Sequence, residues 1–164
     1  VLGARATASS ALAALGELDI VTSTVAARRF GGPGSVVAAS SRLGISIEQV
    51  LWSDRGAVLR AVSGADLVIS TLPAGVADSL AEEMTVREGQ VLLDVVYSPR
   101  ETALRSAFER NGGIVAEGTD MLIFQAAAQV QLMTGRSPKT DVMRGALEAE
   151  LARRARPSGG GAAS

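Results

Sequence analysis

Two segments of this chain carry residue types able to meet a ligand: Asp94-Val95-Val96-Tyr97-Ser98-Pro99, and Gly118-Thr119-Asp120-Met121-Leu122-Ile123-Phe124-Gln125-Ala126. The first has the pattern of a buried strand opening at its carboxyl end into a loop, with a phenolic hydroxyl at Tyr97 and a proline stop. The second is a glycine-marked entry into an apolar helix with one amide, Gln125, at an otherwise hydrophobic position. In an open parallel sheet, ligands bind beyond the carboxyl ends of the strands, which predicts that both segments face one crevice. Tyr97 and Gln125 are therefore the candidates for contact with a reacting group. Each also has an ordinary explanation: a strand-end Tyr packs amphipathically, and a lone helical Gln is often a satisfied structural amide.

What is absent narrows the chemistry further. The chain has no histidine and no cysteine, which excludes Ser-His-Asp catalysis, histidine-ligated metals, thiolate nucleophiles and disulfides. Its only lysine, Lys139, lies between Pro138 and a helical stretch and has the look of solvated loop charge. The acidic residues fall mostly on expected helix faces and form no metal or dyad cluster. A net charge of −1 offers no general attraction to nucleic acid or membrane. No apolar run reaches the length of a membrane span and nothing resembles a signal peptide, so a cytoplasmic protein is the expectation.

A second constellation lies near the start. Gly3-Ala4-Arg5-Ala6-Thr7-Ala8 stands after a strand-like stretch and before a helix, where a dinucleotide fingerprint Gly-x-Gly-x-x-Gly/Ala belongs. Gly3 suits the tight turn and Ala8 suits close helix–strand packing. Arg5 replaces the second glycine, so its side chain either crowds a pyrophosphate or contacts it; an ordinary β–α turn that binds nothing is the other reading. The helix N-terminus still offers unpaired N–H groups to an anion. Arg28 and Arg29 follow about 20 residues later, where the ribose is read. No acidic residue lies between Asp19 and Glu48 to accept from a free 2′-hydroxyl. Two guanidinium groups would instead pair with a 2′-phosphate, which favours NADP over NAD.

These residues need a scaffold, and 164 residues with 47% apolar content and 20% charge make one ordinary globular domain. With aromatic residues at only 3%, the core must be Val, Leu, Ile and Ala, which suits helices packed on a parallel sheet. Helices are expected over residues 6–18, 35–43, 57–62, 77–84, 101–111, 121–134 and 140–154. Strands are expected over 20–27, 45–51 (near the sheet edge), 66–71, 90–96 and 113–116. Alternation of this kind implies βαβ units. The expected fold is a doubly wound, Rossmann-like parallel α/β sheet with a truncated first strand and two closing helices. Val1-Leu2-Gly3-Ala4 has the look of a strand's last residues, so the chain is expected to be a fragment of something longer. Residues 1–155 are taken as the nucleotide-binding domain and the Gly- and Ser-rich residues 156–164 as a disordered tail.

Taken together, the glycine turn, Arg28-Arg29, Ser70-Thr71-Leu72-Pro73-Ala74-Gly75, the Tyr97 segment and the Gln125 segment resemble the cofactor-binding half of the shikimate dehydrogenases. The resemblance runs from Val1 to about Leu151, and its last two blocks are the most specific. It implies NADP as cofactor, with Gly3, Ala4, Arg5 and Ala6 at the phosphates, Arg28 and Arg29 at the 2′-phosphate, and Thr71 and Pro73 on the adenosine side. It further implies Gly118 and Met121 lining the nicotinamide pocket, Tyr97 beside nicotinamide and substrate, and Gln125 on a substrate hydroxyl of shikimate or 3-dehydroshikimate. Three positions depart from the family pattern: Arg5-Ala6 in place of paired glycines, Ser70 in place of Asn, and Thr119-Asp120 in place of small apolar residues. The lysine and aspartate that carry the family's acid–base step belong to an N-terminal substrate domain, so this chain alone is expected not to turn over. A non-catalytic nucleotide-binding module and a quinate-using relative are the alternatives.

Overall fold

The computed structural model describes residues 1–155; the expected low-complexity tail, residues 156–164, lies outside the described residues. Elements follow in the order α1 (Ala6–Glu17), β1 (Thr22–Ala27), α2 (Val36–Leu43), β2 (Ser46–Leu51), α3 (Arg55–Gly64), β3 (Leu67–Ser70), α4 (Asp78–Glu83), β4 (Val91–Asp94), α5 (Ala103–Arg110), β5 (Ile114–Glu117), α6 (Gly118–Thr134) and α7 (Thr140–Ala155). The chain forms two compact units, Val1–Gly118 and the residues from Thr119 on.

In the first unit every strand pair is parallel: β1 with β2, β3 with β4, and β4 with β5. The two sets are joined by Leu2, which bridges in parallel to both Ala26 and Ser70. Four backbone hydrogen bonds fix the join: Leu2 N–H to Ile69 O (2.8 Å), Gly3 N–H to Ala26 O (2.9 Å), Ala26 N–H to Val1 O (2.9 Å) and Thr71 N–H to Leu2 O (2.8 Å). The strand order is therefore β2-β1-Leu2-β3-β4-β5, with connections diverging to either side of Leu2. That divergence is the switch point of a doubly wound sheet.

Alternation along the strands sends side chains to opposite faces. Val25, Ala27 and Ile69 pack with Ala8, Leu12 and Leu15 of α1 and Val36 of α2. Ala26, Val68 and Leu92 pack with Val58 and Val62 of α3, Leu80 and Ala81 of α4, and Leu104, Ala107 and Phe108 of α5. Helices thus cover both faces, as the small, branched residues of the strands require. Among the described residues β2 pairs on one side only and its burial is correspondingly poor, with Leu51 at 53% exposed, in keeping with an edge strand.

Local signals place the ends. Gly44 stops α2 in the left-handed region (φ 68°), with its N–H on Ser40 O. Asp54 caps α3 by accepting from Ala57 N–H at 3.0 Å, and Thr102 caps α5 by accepting from Arg105 N–H at 3.2 Å. β1, β2 and β3 are one or two residues shorter than the expected runs, β4 is three shorter, and β5 keeps its expected length but is shifted by one residue. The second unit consists of α6 and α7. The first of these starts at Gly118, earlier than the expected Met121, and so includes Thr119 and Asp120. Among the described residues no helix is long and apolar enough to cross a membrane.

Candidate functional site

Four strand ends converge at the switch point, and each delivers residues to one cleft of about 280 Å³. Gly3, Ala4 and Arg5 come from the turn after Leu2, Ala27, Arg28 and Arg29 from the end of β1, Trp52 from the end of β2, and Thr71, Leu72, Pro73 and Val76 from beyond β3. Seven residues expected at the phosphates and the adenosine, namely Gly3, Ala4, Arg5, Arg28, Arg29, Thr71 and Pro73, are all brought together by the fold. Ala6 is the first residue of α1, behind them.

Gly3 cannot carry a side chain here. Its φ is +107°, and a Cβ would stand 2.2 Å from Thr71 Oγ1. That hydroxyl is not free to swing away, since it donates to Leu2 O at 2.9 Å. Glycine therefore lets two strand ends close on each other at the floor of the cleft. Ala4 is buried in the core cluster that also holds residues of α1 and β1.

The next residue changes the electrostatics. Arg5 is the N-cap of α1, in ordinary extended backbone (φ −99°, ψ −167°), and its side chain makes no cap hydrogen bond. No acidic residue occupies the first turn of α1. The N–H groups at the start of α1 thus have no side-chain acceptor, and they add the positive end of the helix dipole to the guanidinium. Arg28 and Arg29 are exposed, and neither they nor Arg5 has a carboxylate partner among the described residues. Three cations with no carboxylate partner among the described residues, and the N–H groups of a helix N-terminus, thus present positive charge and hydrogen-bond donors to one cleft, a combination suited chemically to an anionic group.

Trp52 was not foreseen. Its backbone N–H donates to Ala27 O at 2.9 Å, which holds the turn after β2 against the end of β1 beside Arg28. Trp52 is half-buried and packs against the core cluster that includes Val50 and Val58. The one signal available was that the chain's sole tryptophan follows directly on a strand.

Tyr97 lies in the loop between β4 and α5 and is 43% exposed. The loop is held by Asp94, a carboxylate only 5% exposed at the end of β4. Asp94 Oδ1 accepts from Val96 N–H at 3.2 Å and Oδ2 from the Thr102 hydroxyl at 2.8 Å, so one side chain ties both ends of the loop. Outside it, Glu117 receives Arg100 at 2.7 Å and Arg105 at 3.2 Å. A Cβ on Gly118 would stand 2.8 Å from Asp94 O and 2.7 Å from Val95 O, so only glycine allows β4 to end so close.

In the second unit, Met121 is half-buried and Gln125 is exposed on α6. Asp120, one of the positions that depart from the family pattern, is ion-paired with Arg144 of α7.

The comparisons with known proteins bear on the fold and the family. Residues 118–148 match the family model for the shikimate 5'-dehydrogenase C-terminal domain. Over 143 residues the chain is 31% identical to the shikimate dehydrogenase (NADP(+)) of Oleidesulfovibrio alaskensis, covering 83% of this chain and 48% of that protein. It is 36% identical to the shikimate dehydrogenase (NADP(+)) of Methanothermobacter thermautotrophicus over 97 residues, which cover 56% of this chain and 34% of that protein. The chain thus spans no more than about half the length of these curated relatives. Its fold superposes on the crystal structure of Mycobacterium tuberculosis shikimate dehydrogenase with a TM-score of 0.78 at 36% identity, covering 90% of this chain and 55% of that one. By fold and by sequence the chain belongs to the shikimate dehydrogenase family, and it corresponds to the C-terminal part of those proteins.

Proposed function

We propose that the chain is the cofactor-binding half of an NADP-dependent shikimate dehydrogenase, the enzyme that interconverts 3-dehydroshikimate and NADPH with shikimate and NADP. The observation that carries this is the cleft at the switch point, where Gly3, Arg5, Arg28 and Arg29 surround a helix N-terminus and no acid stands at the end of β1. Arg28 and Arg29 take the 2′-phosphate, and Arg5 with the first turn of α1 takes the pyrophosphate, in place of the backbone approach a second glycine would allow. Ala4 and Ala6 keep that approach narrow, and Thr71 and Pro73 bound the adenosine side. The cofactor, when bound, supplies the hydride.

Beyond the cleft, the family resemblance assigns Tyr97, Gly118 and Met121 to the nicotinamide end and Gln125 to a substrate hydroxyl. Asp94 and Thr102 hold the loop that presents Tyr97. The proton that accompanies hydride transfer must come from a group outside these motifs, and Lys139, the sole lysine, matches none of them. The isolated chain is therefore expected to bind cofactor without turning substrate over.

Calorimetric titration of the chain with NADP and with NAD tests the reading. NADP is expected to bind at least tenfold tighter, and the Arg28→Ala/Arg29→Ala double variant to lose that difference, each charge-assisted bond being worth roughly 1.5–3 kcal/mol. Equal affinity for the two cofactors in the unmodified chain would overturn the assignment. Fusion behind the substrate domain of a shikimate dehydrogenase then reads out the reaction itself, with shikimate oxidised in preference to quinate.

A further inference from the structure

The cleft holds one residue that the phosphate-binding account leaves unused. Trp52 is the chain's only tryptophan, and it stands in the turn between β2 and α3. Its backbone is tied to Ala27, the residue before Arg28. The same cleft is lined by Leu72, Pro73 and Val76, apolar residues from beyond β3. A flat aromatic ring, an apolar wall and two unpaired guanidinium groups therefore share one small volume. The match is to a flat heteroaromatic ring joined to a phosphorylated sugar, since such a ring stacks on an aromatic face whatever its edge pattern.

We propose that Trp52 forms the purine-binding wall of the cleft, taking the adenine ring against its indole while Arg28 and Arg29 hold the phosphate on the adjoining ribose. This rests on the NADP reading above. It adds that affinity for the adenosine end comes from an aromatic contact as well as from charge. It also makes that end a recognition unit able to bind without the nicotinamide.

Because the chain has a single indole, its fluorescence reports this site alone. Titration with adenosine 2′,5′-bisphosphate is expected to change the emission of Trp52 with the same midpoint as a calorimetric isotherm. Nicotinamide mononucleotide, which lacks the purine, should leave the emission unchanged. Trp52→Leu keeps an apolar side chain against the core and should weaken adenosine 2′,5′-bisphosphate at least tenfold, whereas Trp52→Phe, which keeps a ring, should stay within about threefold of the unmodified chain. Circular dichroism and the melting temperature establish that each variant is folded; if Trp52→Leu unfolds, the Trp52→Phe affinity and the fluorescence titration decide. Calorimetric binding of NADP with no change in emission, or a folded Trp52→Leu with unaltered affinity, overturns the role of Trp52 and leaves the NADP reading standing. No calorimetric binding of either NADP or the bisphosphate overturns both.

Discussion

Arg5 shows how a single departure from a motif can be weighed once its backbone is known. A glycine in the second position of a dinucleotide turn is needed when the backbone must approach a pyrophosphate closely. Here the residue has φ −99° and ψ −167°, which any L-residue adopts, and its side chain lines the cleft without a carboxylate partner among the described residues. Those facts favour recruitment over obstruction. Arg5→Ala is therefore expected to weaken NADP about tenfold, with ~1.4 kcal/mol lost from one charge-assisted contact, and to leave the melting temperature unchanged. Tighter binding in isothermal titration would mean that the side chain blocks the site. Gly3 is the opposite case. Gly3→Ala forces a Cβ to 2.2 Å from Thr71 Oγ1 at a φ of +107°, so both strain and overpacking apply, and stability should fall by roughly 2 kcal/mol or more in a urea melt. The type of each residue was plain in the sequence. What each one does depended on φ and on the neighbour across the turn, which a linear pattern does not carry.

At the scale of elements, the strand-to-helix connection from β4 to α5 shows a loop specified by its two ends. Asp94 closes the strand and Thr102 opens the helix, and a hydrogen bond of 2.8 Å between their side chains spans the segment that contains Tyr97. Thr102 acts twice, because its oxygen also accepts from Arg105 N–H at the first turn of α5. Thr102→Ala should therefore cost more than an ordinary cap, on the order of 2 kcal/mol by chemical denaturation, since it also strips a partner from a buried carboxylate. Thr102→Ser, which keeps the hydroxyl, should recover most of the loss. A cost for the alanine variant no larger than for Ser would show that the hydroxyl ties nothing together. Tyr97 and its proline stop were visible from residue types, but the clamp was not, because it joins residues that look like an unremarkable strand end and an unremarkable cap. The start of α6 was displaced for a related reason. Gly118 looks like a helix breaker, yet it stands at the first helical position, where glycine costs little and where a Cβ would meet Asp94 O and Val95 O. The apolar run around Gln125 suggested burial of its amide. Gln125 is exposed and Phe124 beside it is 61% exposed, so the apolar composition of α6 was no guide to which face is covered.

For the molecule as a whole, the fold class and the order of elements were legible because β-branched runs alternate with Ala- and Leu-rich stretches at βαβ spacing, and the alternation of apolar and polar residues along β2 marked it as lying near an edge. The position of Trp52 was not, since it depends on β2 lying beside β1 in parallel. The ladder that joins the two halves of the sheet runs through Val1, Leu2 and Gly3, and it is backed by one core in which Ala26 and Val50 lie with Val68 and Leu92, so packing across the join and the hydrogen bonds along it both depend on the same central residues.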